Sequence, residues 1–246
     1  MTRPLWSVEL ADAVDWLRRL DDESVDLVVT DPAYESLEKH RAKGTTTRLS
    51  QSAASSNEWF PIFRNGRFVE LFAELYRVMR PDSHLYVLSD QETMMDVVRP
   101  LARAAGFVFW KALIWDKGPK LGMGYHWRAQ HEVIAFLEKG KPRLNDLGRP
   151  DVLRHPRIDG GYPTEKPVGL LAELIENSSD HGALVIDPFL GSASTGEAAL
   201  SIGRRFGGCD VKSTAVEAAR ARLARFGDSA DVLRPRRQGQ LFGGEP

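Results

Sequence analysis

Two short turns constrain this chain more than anything else in it: Asp31-Pro32-Ala33-Tyr34 and Asp187-Pro188-Phe189-Leu190-Gly191-Ser192. Each follows an apolar run with the length of a buried strand, Val25-Asp26-Leu27-Val28-Val29 before the first and Ala183-Leu184-Val185-Ile186 before the second. An acid, a proline and an aromatic residue at the C-terminal end of such a strand stand where open α/β sheets place their ligands. Two such turns predict two pockets side by side on one sheet, one for a planar substrate and one for a cofactor.

The rest of the chain alternates in the same way. Helical spacing runs over Leu10–Leu20, over Arg67–Arg80 up to Pro81, then to about Ala105, over Thr164–Ser178 with Pro167 in the first turn, over Ser194–Ile202 and from about Ser213 to Phe226. Strands are predicted at His84–Leu88, Phe107–Trp115, Glu132–Leu137 and Arg205–Cys209. Strands alternating with helices predict an α/β fold, a doubly wound and mostly parallel sheet with helices on both faces. Residues 35–66 form a long polar stretch, which in a compact domain is functional or disordered. Residues 138–163 are rich in Gly, Pro and charge and read as irregular. The chain reads as a single domain over 1–233 followed by a flexible tail over 234–246.

A net charge of −1 argues against a general nucleic-acid binder. Its distribution is uneven: Lys111–Lys166 carries eleven Lys/Arg against seven Asp/Glu, and Arg220–Arg237 six Arg against two Asp. A locally basic face on a neutral protein can bind phosphates by releasing counterions. No apolar run is long enough to span a bilayer, no signal peptide is evident, and the single Cys209 fits a reducing cytoplasm and a buried strand thiol. No His/Cys cluster has metal-ligand spacing, so no metal is expected. His131-Glu132 begins like a zinc-protease motif, but Ala135 stands where its second His belongs.

The small-residue loop Gly191-Ser192-Ala193-Ser194-Thr195-Gly196 lets a ligand approach the backbone. It is neither the dinucleotide fingerprint nor a phosphate loop, since it lacks the second Gly of the former and the Lys of the latter. Asp210, at the end of the next strand, stands where an acid bonds ribose hydroxyls. The cofactor therefore carries a nucleoside and needs no phosphate. S-adenosylmethionine fits, its sulfonium tolerating carboxylates and an aromatic face such as Phe189. In the first turn, Asp31 supplies a carboxylate, Pro32 a rigid carbonyl and Tyr34 a flat stacking face. Together they suit an exocyclic amine on a base flipped out of a duplex.

Three segments together resemble the amino-group DNA methyltransferases: Val25 to Tyr34, Tyr162-Pro163-Thr164-Glu165-Lys166-Pro167-Val168, and Asp187 to Ser192. Their order, catalytic motif before cofactor motif, matches the β class of that family. His131-Glu132-Val133-Ile134-Ala135-Phe136 and Gly203 to Asp210 look like further family segments, and the resemblance covers most of residues 5–226. It implies a Rossmann-like methyltransferase fold, with S-adenosylmethionine as methyl donor and S-adenosylhomocysteine as product. It also implies that Asp31, Pro32 and Tyr34 bind the target amine and base. Asp187, Phe189, Gly191 and Ser192 would then line the donor site, with Thr164, Lys166 and Pro167 on its methionine side and Asp210 on the ribose. Departures from the family pattern are Ala33 where a second Pro is usual, Glu165 for Gln, Ala193 for Gly and Asp210 for Glu.

Asp at position 31 resembles the adenine-N6 enzymes more than the cytosine-N4 ones, which tend to carry Ser there. The expected reaction is site-specific N6 methylation of adenine in double-stranded DNA, in the cytoplasm at the nucleoid of a prokaryote or phage and in a restriction-modification setting. Alternatives left open are cytosine-N4 methylation, a weakened DNA-binding relative, and an RNA substrate. Recognition is expected in segments 35–66 and 116–160, with Lys39, Arg41, Arg48, Lys117, Lys120, Arg128 and Arg143 as candidate nucleic-acid contacts. Both segments are short, which points to a short recognition site or to a homodimer whose second copy helps hold the duplex. Gln238-Gly239-Gln240-Leu241-Phe242 loosely resembles the peptides by which bacterial proteins dock on the replication sliding clamp, with Gly239 as the departure.

Overall fold

The computed structural model describes residues 5–36, 61–119, 127–158 and 165–227. Within them the chain runs β1 (Trp6–Leu10), α1 (Ala13–Arg18), β2 (Val25–Thr30), α2 (Phe68–Val78), β3 (Met79–Ser89) and then a three-part helix α3. The parts of α3 are Gln91–Thr93, a π turn over Met94–Val98, and Arg99–Ala104. There follow β4 (Val108–Asp116), β5 (His131–Lys139), β6 (Val152–Arg154), α4 (Val168–Ser178), β7 (Leu184–Asp187), α5 (Ser194–Ser201), β8 (Arg205–Asp210) and α6 (Ser213–Leu223). Pro100 has no N–H to return to the turn before it, and α3 widens into its π turn just ahead of that residue.

The strands form one sheet in the order β1-β8-β7-β2-β3-β5-β4-β6. β1, β8, β7, β2 and β3 are mutually parallel, β5 is antiparallel to β3 and β4, and β6 is parallel to β4. Side chains along a strand point to opposite faces in turn, and the two cores follow that alternation. Val28 joins Trp16, Leu17, Phe68, Leu71, Phe72 and Leu75 of α1 and α2 on one face. Leu27 and Val29 join Leu170, Leu174, Ala198, Val216 and Leu223 of α4, α5 and α6 on the other. The sheet is thus doubly wound. Each fully buried leucine-sized side chain contributes about 1.5–3 kcal/mol through removal from water. Asp26, the one acid inside β2, accepts the Leu184 N–H at 2.7 Å and pairs with Arg80 at 2.5 Å, so it locks the start of β2 to both its neighbours. At the β1 edge, the Trp6 indole N–H donates to the Gly227 carbonyl at 3.0 Å.

Several boundaries differ from the sequence expectation. The helix read over Leu10–Leu20 spans only Ala13–Arg18, and the residues before it form β1. The helix read up to Arg80 ends at Val78, because Met79 is extended (ψ 140°) and pairs with Val25. Pro81 therefore lies inside β3, at an exposed position where no ladder bond is required of it. β6 lies in the stretch read as irregular. The helix read from Thr164 starts at Val168, and Pro167 is its N-cap rather than part of its first turn. A residue before proline is disfavoured in the helical region; Lys166 lies outside α4, and Glu165-Lys166 is left to line the site.

Candidate active site

β2 and β7 lie side by side, yet the chain leaves β2 towards β3 on one flank and β7 towards β8 on the other. Such a reversal opens a crevice beyond the strand ends. A cavity of about 310 Å³ occupies it, at the lower end of the size range of small-molecule sites. Both turns line this one cavity, Asp31 to Tyr34 and Asp187 to Ser192, together with Asp12, Phe63, Arg67, Glu132, Glu165, Lys166 and Asp210. Where the sequence predicts two adjacent pockets, the described residues form one continuous space. The two turns meet directly: Thr30 Oγ1, one residue before the first, donates to Asp187 Oδ1 at 2.8 Å.

Asp187 is buried and spends both oxygens inside the fold. Oδ1 also accepts the Phe189 N–H at 3.0 Å, and Oδ2 accepts the Thr195 hydroxyl at 2.8 Å. Its carboxyl is pushed up to about 6 by burial, against the pull of these bonds. It lines the cavity while fastening β2, β7 and the first turn of α5 together. Asp210 is less committed. It accepts the Gly191 N–H at 3.1 Å on one oxygen and the Lys212 N–H at 2.9 Å on the other, which leaves lone pairs on both for a ligand. Burial raises its pKa. Gly191 takes φ 49°, a conformation glycine adopts without cost. A Cβ on Gly208 would stand 3.0 Å from the Asp187 carbonyl, so the turn settles onto β8 only because that side chain is missing. The Cys209 thiol is buried and donates to the Pro188 carbonyl at 3.3 Å.

At the end of β2, Asp31 pairs with the Lys166 ammonium. Lys166 also faces Glu132 at 3.8 Å, and Glu132 in turn holds Lys117 at 2.5 Å. The four side chains form an alternating row of charges. Burial works against the Lys166 charge, but Asp31 and Glu132 outweigh it and raise its pKa. Burial likewise opposes the Glu132 charge, and Lys166 and Lys117 more than offset it. Burial raises the Asp31 carboxyl, opposed by Lys166. Tyr34 is buried against the site, its phenol pushed well above the ordinary range by burial and then by the Asp31 charge. The Ala33 carbonyl accepts the Phe63 N–H at 2.7 Å, which pins the turn to residues 61–64. Phe63 packs edge-on against Phe189, with ring centroids 4.9 Å apart, and Arg67 lies over its face at 5.1 Å.

The sequence-derived residues are distributed unevenly. Asp31, Pro32, Tyr34, Asp187, Phe189, Gly191, Ser192, Asp210 and Lys166 come together in the cavity. Lys166 is set on Asp31, and Pro167 is buried behind it as a helix cap. Lys117 is engaged by Glu132 and lies over the Trp115 ring at 5.3 Å, beside the site. Arg128 is exposed in the segment leading into β5, next to a wholly exposed Trp127. Arg143 is exposed two residues before Asn145, which docks on the C-terminal end of α4 through Glu176 and Ser179. That end of α4 leads into the start of β7, away from the cavity, and Arg143 does not line it. Thr164, Lys39, Arg41, Arg48, Lys120 and the tail 238–242 lie outside the described residues.

Several lining residues escape the sequence reading, among them Phe63, Arg67, Asp12 and Glu132. Asp12 caps α1 by accepting the Val14 and Asp15 N–H groups, and it grips Arg67 bidentately at 2.7 and 2.8 Å. The signal is there in the chain: an Asp immediately before a helical apolar run is an N-cap. Glu132 is read in the sequence within a segment that resembles the family and within an excluded zinc-protease motif, but neither reading gives it a place at the site.

The fold and cavity thus define a doubly wound α/β protein with a ligand site at its switch point. Residues 25–221 match the N6/N4 DNA methylase family, and the chain belongs to it. It is 32% identical over 220 residues to YubD of Escherichia coli (strain K12), which carries a methylase name, covering 87% of this chain and 88% of that one. It is 24% identical over 207 residues to the type II methyltransferase M.HhaII of Haemophilus parahaemolyticus, covering 81% and 88%. Among solved structures, the M1.HpyAVI–SAM complex superposes with a TM-score of 0.66 at 20% identity, covering 89% of this chain and 100% of that one. The cytosine-N4-specific PvuII DNA methyltransferase does so with a TM-score of 0.70 at 17% identity, covering 90% and 87%. Both superpositions show a shared fold. Among the described residues no helix is long and apolar enough to cross a membrane.

Proposed function

We propose that this protein transfers a methyl group from S-adenosylmethionine to the exocyclic N6 amine of an adenine flipped out of double-stranded DNA. The observation that carries this reading is the single cavity that Asp31, Pro32 and Tyr34 share with Asp187, Gly191 and Asp210, at the switch point of a sheet in a chain of the DNA methylase family. The residues present suit the donor. Asp210 offers acceptors for ribose hydroxyls, Gly191 lets the nucleoside approach the backbone, and six lining carboxylates against two lining cations favour a sulfonium over a phosphate. When bound, that group supplies an electrophilic methyl. Complexes of M1.HpyAVI and of the Thermus thermophilus protein TTHA0409 with the same donor support the assignment.

The chain's own contribution is positioning and electrostatics. Asp31 accepts one amine hydrogen and the Pro32 carbonyl the other, which turns the nitrogen lone pair towards the methyl. Tyr34 supplies the stacking face that replaces the lost base neighbours. Asp31, raised by burial, is suited to take up the proton that the methylated amine must lose. Lys166 holds the Asp31 charge in the buried site until the amine arrives, and Glu132 is the second anion within its reach.

Adenine is favoured by the carboxylate at position 31, the feature by which the chain resembles adenine-N6 enzymes. A site-specific role in restriction-modification is supported by the type II methyltransferase names of M.HpaI and M.HhaII. Exposed Arg128 and Trp127, in the segment entering β5 beside Glu132, are the described residues best placed to meet the duplex. The proposed setting is the cytoplasm, at the nucleoid. A homodimer, and clamp docking through residues 238–242, rest on the sequence alone. Deleting residues 234–246 and assaying clamp pull-down tests the latter.

The test of the main reading is nucleoside mass spectrometry of unmethylated duplex DNA after incubation with the protein and the donor. N6-methyladenine is expected with the wild type and none with Asp31→Ala, while Asp31→Ala still binds the donor. N4-methylcytosine would overturn the choice of base, and unchanged turnover in Asp31→Ala would overturn the mechanism.

A further inference from the structure

One side chain outside the cavity holds three pieces of its wall. Arg222 projects from α6 and is 22% exposed. Its Nη1 donates to the Ser192 carbonyl at 3.1 Å, the Ser192 hydroxyl at 2.9 Å and the Ser194 hydroxyl at 3.0 Å. Its Nη2 pairs with Glu165, and its Nε pairs with Glu197 of α5 at 2.7 Å. Glu165, Ser192 and Ser194 all line the cavity, whereas Arg222 does not. The planar guanidinium thus ties the strand-to-helix loop before α5 to the segment before α4, from a third helix. A lysine has no fork with which to reproduce these contacts.

The grip brackets a strained residue. Ala193, between the two serines, is wholly buried at φ 60°, ψ 40°, in the left-handed region where a Cβ crowds the following carbonyl. It is the N-cap position of α5, and it makes no side-chain capping bond there. Backbone in such a conformation persists only where its surroundings over-determine it. Bonds from one cation to the residues immediately before and after Ala193 do that.

We infer that Arg222 is a positioning residue for the donor end of the cavity: it fixes Glu165 and the Ser192-Ala193-Ser194 loop in the shape that receives the methyl donor, and it offsets the left-handed conformation of Ala193. This rests on the reading of the cavity as an S-adenosylmethionine site. The role requires that losing Arg222 weaken donor binding far more than the chemical step, and that relieving Ala193 restore part of the loss.

The experiment is calorimetric titration with S-adenosylmethionine and S-adenosylhomocysteine, together with steady-state kinetics, on the wild type, Arg222→Lys, Ala193→Gly, and Arg222→Lys/Ala193→Gly. Arg222→Lys is expected to raise Kd and donor KM about tenfold or more, the scale of losing hydrogen bonds to a charged group. Its kcat at saturating donor should fall by much less, and KM for DNA should hold. The double variant should recover at least about threefold of the lost affinity, a coupling expected only between interacting sites. Glu165→Gln keeps an acceptor for the guanidinium and should lose less affinity than Glu165→Ala, which gives a readout should Arg222→Lys fold poorly. If the wild type binds no S-adenosylmethionine, the donor reading falls and this inference with it. If the wild type binds and folded Arg222→Lys binds equally well, only the inference falls. A uniform drop in melting temperature without a change in Kd would make Arg222 a packing residue and likewise overturn it.

Discussion

His84 lies midway along β3, paired with Leu27 of β2 and Glu138 of β5, and its environment sets how the fold responds to acid. The ring is 1% exposed. It stacks on Phe136 at 5.2 Å and Tyr86 at 6.5 Å. Its Nε2 has no hydrogen-bond partner among the described residues. The nearest anion, Glu138, lies 3.6 Å away, and its own carboxyl is raised by burial, so it offers little compensation. Burial pushes the His84 pKa from 6.5 down to about 4. A depressed pKa means that the fold holds the neutral ring. The stability this contributes is fully present above pH 6.5 and is lost as pH falls through about 4. At about 1.36 kcal/mol per pH unit, the loss across that interval is about 3 kcal/mol. His84→Phe fits the same aromatic stack and cannot charge. Urea unfolding of the two proteins, followed by fluorescence at about pH 7 and about pH 4, should show the wild type losing about 3 kcal/mol more than the variant. A difference between them that stays constant across the range would refute the reasoning.

Asp187 carries the opposite sign. Its carboxyl is raised from 3.8 to about 6, so its contribution is present below pH 3.8 and lost as pH rises through about 6. In the same urea series, Asp187→Asn, which keeps an acceptor for Thr30 and the Phe189 N–H, should gain about 3 kcal/mol on the wild type between about pH 4 and about pH 7. Parallel profiles would contradict this. Gly196→Ala should lower the melting temperature. The new Cβ would stand 2.7 Å from two ring carbons of Phe206, which is fully buried, and overpacking of this kind costs about 1–3 kcal/mol. An unchanged calorimetric transition would show that α5 can shift where the close packing says it cannot.

The parts of the fold legible in the sequence are those whose pattern is local and strong. The runs Val25–Val29, apolar but for Asp26, and Ala183–Ile186 each lead into an acid and a proline, and both became central parallel strands with the cavity at their ends. Trp6-Ser7-Val8-Glu9-Leu10 alternates strictly and should read as a strand, but Leu10 also fits the helical spacing that follows, and the longer pattern overrides the shorter. β6 is three residues long, held by its register against Ile114–Asp116, and no local period can announce it. In the site, Asp31, Asp187 and Asp210 can be found because strands deliver them. The Asp31–Lys166–Glu132–Lys117 row cannot, because it is written by the antiparallel packing of β5 beside β3 and by the start of α4 after Pro167, which leaves Lys166 outside the helix.

The hydrogen bond from the Trp6 indole to the Gly227 carbonyl has a consequence for how such a protein could be written in a gene. It brings residue 6 within one bond of residue 227, at the sheet edge where β1 lies against β8. A short peptide joining these two points would disturb no strand pairing, and the chain could then be opened in any surface connection that no pairing crosses. Asp31 turn first or Asp187 turn first would give the same eight-stranded sheet and the same cavity. The linear order of the motifs is thus a property of the reading frame, while the neighbourhood of Thr30 and Asp187 is a property of the molecule.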